Sequence, residues 1–588
     1  MRPICFRFCL RFRPRLLSRF LCELSLVLLT LLFTDIPNAQ AVQIEIVPLG
    51  VSEEERALLK SVVLASSELQ AEIQSHRFRM LEVFDGNDQA PKETELQPGD
   101  LLWLGYDYDA NRLVKVLMKP EQIHVSAMPS TRVQQLPSPS PEEFSEASAI
   151  LEKDAFFGPL RSWWEPYEAM PGVLPATSET QGDRLITIGI LPRAGAPAPL
   201  IHEIVGVNLS RRRIVRYLTG APPTARAAAK VCAPRNAGQG SLARGVSGAA
   251  KIIVRDDNGT EIWNFQAIRP SASSGARGSG IDLRNLFYRK QKIASQIHTP
   301  IVNVQYAKNL CGPFRDWQYS ENPFQAQGTS ISPGFLEASG HPTTILESGR
   351  DLGNYRGIAI SKEGETTRLV TEISAGWYRY QVEYLFYIDG RIEPRWGFAA
   401  IQDSCTCNLH FHHAYWRMDF DFANASETRL AKTSVRASAS SDLLVLPTPG
   451  NRVEAGNGTQ WRLITREQKL FRQEAESLLR ISQEQSPTVV LLEPGERDGT
   501  AGQSSSFGRG DAWVLGYRPG QLEDSSLTAL APIAIDRFVG NDPVVDRDIV
   551  IWYGAHFRHD SDDDSGASHI LGPTLKVLVP PVDPAAGF

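Results

Sequence analysis

Between Cys405 and Asp421 the chain alternates aromatic or apolar residues with polar ones, and a period of two reads as a β-strand. The polar set comprises Cys405, Cys407, His410, His412 and His413, followed by Arg417, Asp419 and Asp421. On a strand, side chains at i and i+2 share a face. His410 and His412 therefore face one way, and Asp419 and Asp421 the other. Two imidazoles suit a borderline transition metal, whereas two carboxylates suit a hard cation such as calcium. One strand can thus hold two different metals, one on each side, and that limits the folds open to the chain.

A length of 588 residues calls for several domains. The net charge of -6 gives no reason to expect a nucleic-acid partner. With 45 Gly and 39 Pro, the chain has the turn-forming residues that a β-rich protein needs between short strands. The first 41 residues read as an export signal: a basic stretch containing Arg2, Arg7, Arg11, Arg13, Arg15 and Arg19, an apolar run from Leu24 to Phe33, and a small-x-small site at Ala39 and Ala41. The apolar run is short for a bilayer span, and the alternative is an uncleaved N-terminal anchor. No other segment is long and apolar enough to cross a membrane, so the expectation is an exported chain, secreted or periplasmic.

Cys5, Cys9 and Cys22 fall in the signal, leaving Cys232, Cys311, Cys405 and Cys407. Four cysteines in an exported protein allow two disulfides in three connectivities. Cys405 and Cys407, beside a histidine pair, could instead ligate a zinc-like metal.

Signals along the chain divide it into 42–135, 136–225 and 226–588. The first part holds a helix opening at Ser52, an N-cap followed by acidic residues and helical spacing. A Pro/Ser break from Leu136 to Pro141 leads to a second helix over Glu142–Asp154. Strands follow at 185–191 and 202–208, and from about 226 the pattern is nearly all strand and turn. Ser/Gly/Ala-rich stretches at 271–280 and 434–441 read as loops. The fold expected is mainly β, a large C-terminal β-sandwich preceded by small α/β domains. Late in the chain a strand over Asp548–Tyr553 leads to His556, His559 and an acidic stretch from Asp560 to Asp564, by itself a solvated turn.

Taken together, these residues resemble the topaquinone-containing copper amine oxidases, as an atypical member. His410-Phe-His412 is similar to that family's copper-binding pair, and His559, after Asp548-Ile-Val-Ile-Trp552, to its distant third ligand. Arg417-Met-Asp419-Phe-Asp421 is similar to the Arg-Leu-Asp-x-Asp that follows the pair. The resemblance implies copper on His410, His412 and His559, and calcium or another structural cation on Asp419, Asp421 and Asp548. Gly376-Trp377-Tyr378-Arg379-Tyr380 is similar to the segment whose first tyrosine is self-processed to topaquinone, which makes Tyr378 the precursor. The likeness covers roughly 136–580 and is most specific after 280.

The reaction so implied is oxidation of a small primary amine by O2 to aldehyde, with release of ammonia and hydrogen peroxide. A carboxylate removes the proton from the substrate α-carbon, and a raised pKa in an apolar channel suits it to that work. Asp316, in Phe314-Arg315-Asp316-Trp317, is the candidate; the alternative is a surface carboxylate paired with Arg315. The family also implies a homodimer. Three departures stand next to the precursor tyrosine. Trp377 replaces an asparagine, Arg379 replaces an acid and brings a positive charge beside the cofactor, and Ile301 stands where a cofactor-binding tyrosine is expected. Tyr378 then reads either as a quinone precursor or as an ordinary core tyrosine. The whole chain correspondingly reads as an amine oxidase or as a non-catalytic, exported metal-binding relative. Sequons at Asn258 and Asn424 would matter only in a eukaryotic secretory host. His413, His556 and His569 lie outside the pattern.

Overall fold

The computed structural model describes residues 42–73, 77–86, 96–168, 182–215, 248–306, 313–434, 477–493, 512–518, 548–559 and 569–579, apart from short interruptions. It also describes the strands Leu444–Val445, Arg452–Ala455 and Trp461–Ile464 and the single positions 495, 535 and 538. The signal-like segment, Cys405, Cys407, Asn424 and the acidic stretch after His559 lie outside the described residues.

Both expected helices form, the first on the N-cap read at Ser52 and the second over Pro141–Leu151, three residues short of the expected end at Asp154. The helix Glu53–Ala65 opens on Ser52, whose hydroxyl accepts from the Glu55 amide while the Glu55 carboxylate returns to the Ser52 amide. Its Val63, with Leu69 of the helix Ser67–Glu72, packs on Leu101, Trp103, Val114 and Val116 of a four-stranded antiparallel meander. The helix Pro141–Leu151 repeats the device with Ser140 and Glu143, and has proline at its start, where no amide is needed. Its Phe144, Ala147 and Leu151 cover Ile186, Ile188, Val205 and Val207 of a second four-stranded sheet. Polar contacts lock the two small units together: Tyr108 donates to Glu143 at 2.6 Å, Tyr106 to the Gly182 carbonyl at 3.0 Å, and Arg79 to Glu146 at 2.7 Å.

One strand leaves the unit in which the sequence places it. Gln43–Leu49, read with 42–135, pairs antiparallel with Ala249–Arg255 along the edge of the large sheet. Its alternation of exposed and half-buried residues suits an edge position.

Two large sheets make the sandwich. In the first, Gln291–Tyr306, the histidine strand His410–Asp419, the late strand Ile549–His559 and Ala512–Gly516 lie side by side. At the centre of the second, Thr366–Ala375, the tyrosine strand Tyr378–Tyr387 and Arg391–Ala400 run antiparallel. The inner faces meet in one core containing Trp263, Trp396, Trp416, Tyr380 and Phe398. Burying side chains of this size stabilises by about 1.5–3 kcal/mol each.

Two local features set the register on which the site depends. Between Thr366–Ala375 and Tyr378–Tyr387 only Gly376 and Trp377 intervene, and Gly376 takes φ +59°. A two-residue hairpin with glycine first has the twist that its strands require, and it makes Tyr378 the first residue of its strand. On Gln291–Tyr306, the pairing with the histidine strand slips between His298 and Ile301, across Pro300. Proline has no amide to give to the ladder, and a one-residue slip reverses which face every later side chain occupies.

Candidate active site

Register brings three residues into a row. Tyr306 pairs with His410, and His410 with His559, at the ends of three neighbouring strands. Direct antiparallel partners point the same way, and here they point into the sandwich towards the start of the tyrosine strand. The hydroxyls of Tyr306 and Tyr378 are 2.8 Å apart, and that of Tyr378 lies 2.9 Å from His410 Nε2. The same nitrogen lies 3.2 Å from His559 Nδ1. His412 shares the face, its ring centroid 5.0 Å from that of His410; Phe398 stacks on it at 3.8 Å and Tyr378 meets it edge-on at 4.7 Å. All of these side chains are buried.

Asp316 lies on a short strand, Pro313–Asp316, whose pairing sets it opposite Val302. It is buried, which excludes a surface carboxylate; the Arg315 side chain is outside the described set. Tyr380 donates its hydroxyl to Asp316 Oδ2, while Oδ1 has no hydrogen-bond partner among the described residues. Burial pushes the carboxyl up to about 8, against a smaller lowering by the Tyr380 hydrogen bond. Tyr380 stacks parallel to Tyr378, ring centroids 5.9 Å apart, so the carboxyl and the tyrosine share one aromatic wall. Burial likewise holds the Tyr306 and Tyr380 phenols well above their ordinary range.

The three departures look different in the folded chain. Ile301 does not occupy a tyrosine's place beside Tyr378. Past the slip at Pro300 it packs on the outer side of the sheet with Tyr415, Trp513 and Trp552, and Tyr306 supplies the hydroxyl. Trp377 is buried, yet its indole N–H donates to Tyr306 Oη at 2.6 Å, so it offers a donor where the family has an amide. Arg379 alternates away from Tyr378 and Tyr380. Asp351 neutralises it with contacts of 3.0 Å to Nε and 2.8 Å to a terminal nitrogen, so its charge is held on the far side of the sheet.

On the opposite face of the histidine strand, carboxylate oxygens of Asp419, Asp421 and Asp548 lie within 4.8 Å of one another. Asp419 and Asp421 are buried and Asp548 half-buried. Ser295 donates to Asp421, and Lys292 Nζ stands 3.7 Å from it. Three acids converging so closely suit an oxygen-seeking cation. On this face too, His413 and His556 are cross-strand partners with Nδ1 atoms 2.9 Å apart, and burial holds His413 neutral, well below the usual imidazole range. Sequence reasoning missed Tyr306, Tyr380 and Asp351. Only Pro300, as a mark of broken ladder, hinted that strand positions should be recounted.

No protein-family profile matches the chain, and no curated protein matches it. Solved structures do. The lysyl oxidase of Pichia pastoris aligns over 93% of this chain and 91% of its own, at 11% identity and a TM-score of 0.49. A copper-containing benzylamine oxidase of Hansenula polymorpha aligns over 93% of this chain and 94% of its own, at 11% identity and 0.47. The amine oxidase of Aspergillus nidulans aligns at a TM-score of 0.50 and 12% identity, over 90% of this chain and 88% of its own. The chain therefore has the mainly β, sandwich-centred fold of the Aspergillus enzyme.

Proposed function

We propose that the chain is a copper-dependent primary-amine oxidase whose quinone, topaquinone, forms from Tyr378. The observation that carries this reading is the contact between Tyr378 Oη and His410 Nε2 at 2.9 Å, beside His559 Nδ1 at 3.2 Å. The donor set fits the metal. Copper takes neutral imidazoles, and a dry interior favours the neutral form. With metal–nitrogen bonds of ~2.0 Å, neighbouring ligand nitrogens stand about 3 Å apart. His410, His412 and His559 would hold the copper. Bound there with dioxygen, copper would supply the oxidising chemistry that turns Tyr378 into a quinone, the electron sink for the amine.

The chain's own residues do the rest. Tyr306 holds the Tyr378 oxygen on one side, and the ligand nitrogens of His410 and His559 lie on the other. Tyr380 holds one oxygen of Asp316, so the other is left to take the proton from the amine's α-carbon. A carboxyl near pKa 8 is a far stronger base than an ordinary aspartate. Phe398, Trp396 and Tyr380 exclude water from this region. The same reading includes calcium on Asp419, Asp421 and Asp548, a homodimer, and export after removal of residues 1–41. Among the described residues, no helix is long and apolar enough to cross a membrane.

A second reading, a non-catalytic metal-binding relative, draws support from the closure of the site, since Tyr378 is 1% exposed and Asp316 2%. One experiment separates the two. Apoprotein is loaded with copper under oxygen and the peptide containing Tyr378 is weighed. A quinone mass, reactive with phenylhydrazine and absent in His410→Ala, is the expected result. An unmodified Tyr378 at full copper occupancy rejects the oxidase.

A further inference from the structure

Trp377 occupies the turn immediately before Tyr378, and its indole reaches across to the other sheet. Three successive contacts join it to the histidines: Trp377 Nε1 to Tyr306 Oη at 2.6 Å, Tyr306 Oη to Tyr378 Oη at 2.8 Å, and Tyr378 Oη to His410 Nε2 at 2.9 Å. An indole nitrogen can only donate. Tyr306 Oη must therefore accept from it, and the Tyr306 proton can then be given to Tyr378, whose hydroxyl lies 2.8 Å away. A phenol hydroxyl is otherwise a free rotor whose direction its neighbours decide.

From this geometry we infer that Trp377 is a positioning residue for the maturation of Tyr378: by donating to Tyr306 it holds the Tyr306 hydroxyl on Tyr378, and so holds the Tyr378 oxygen at His410. The inference rests on the reading of Tyr378 as a quinone precursor. In that maturation the Tyr378 side chain loses two hydrogens and gains two oxygens overall, with two molecules of dioxygen consumed as oxidant and one of hydrogen peroxide released. Before any of this, the ring must stand with its oxygen towards the metal ligands. Trp377 is itself held on its other side by Tyr167 of the second small unit, edge-on with centroids 6.1 Å apart. The anchor thus spans from that unit to the histidine strand.

The test separates the N–H from the bulk of the indole. Trp377→benzothienylalanine keeps the bicyclic shape and replaces the N–H by sulfur; Trp377→Phe serves as a second variant. Wild type and both variants are loaded with copper under oxygen, copper content is measured, and the mass of the Tyr378 peptide is followed in time. Loss of a hydrogen bond in a dry site should slow conversion about 10- to 100-fold in the isostere at unchanged copper content. Separately, in unloaded protein, Tyr306→Phe should shift the indole N–H resonance of Trp377, a signal that packing alone would not move. Conversion at the wild-type rate in the isostere, or no shift of the indole signal, overturns the role of Trp377 and leaves the quinone reading standing. No conversion in wild type overturns the quinone reading itself, and the positioning role with it.

Discussion

Replacing Asp316 by asparagine should stabilise the protein, and by an amount that grows with pH. In the fold the carboxyl titrates near 8, against an ordinary value of 3.8. Between these values the native chain holds a proton that the unfolded chain has released. Stability then falls with rising pH by about 1.4 kcal/mol per unit. The contribution is fully present below about pH 4, is lost progressively as pH rises, and is gone once pH passes the folded value of about 8. The amide in Asp316→Asn would not titrate, and its oxygen can still accept from Tyr380. The gap between Asp316→Asn and wild type should therefore widen by about 3 kcal/mol from pH 5 to pH 7 and level off above 8. Parallel urea titrations of the two proteins across that range measure it. A gap that stays constant with pH would show that Asp316 ionises normally, and would remove the physical basis for assigning it as the base.

Other consequences follow from the same geometry. If Asp316 is the proton acceptor, the rate of amine oxidation should climb as pH approaches 8, and Asp316→Asn should abolish turnover while leaving the quinone mass intact. The three carboxylates on the outer face repel one another without a cation, so calcium should raise the melting temperature and Asp421→Asn should blunt that rise; differential scanning with and without chelator decides it. Arg379→Ala should destabilise by about 1.5–3 kcal/mol because it leaves the half-buried Asp351 with Asn322 but without its cation, and adding Asp351→Asn should recover much of the loss in chemical denaturation. Equal loss in the single and double variants would refute the pairing.

Much of this was legible in the one-dimensional pattern because a strand has period two. Alternation alone set His410 and His412 on one face and Asp419 on the other, and the pairing of the sheet kept them so. The capping residue Ser52 likewise announced its helix, since a cap is satisfied within three residues of itself. Facts of this kind need only neighbouring residues.

The cofactor's surroundings needed the whole fold. Whether position 301 or 306 faces Tyr378 depends on how the chain passes Pro300, and that slip shows only when a partner strand is there to count against. Arg379 read as a charge beside the cofactor until Asp351, distant in sequence, proved to hold it on the other side. Trp377 read only as the loss of an asparagine until its indole N–H found Tyr306 across the sandwich. Sequence by itself determined which side chains share a face and which donor chemistries the chain owns. Tertiary structure alone decided which of them meet, because register and sheet-to-sheet packing are fixed by contacts between residues tens to hundreds of positions apart, and no local pattern encodes those.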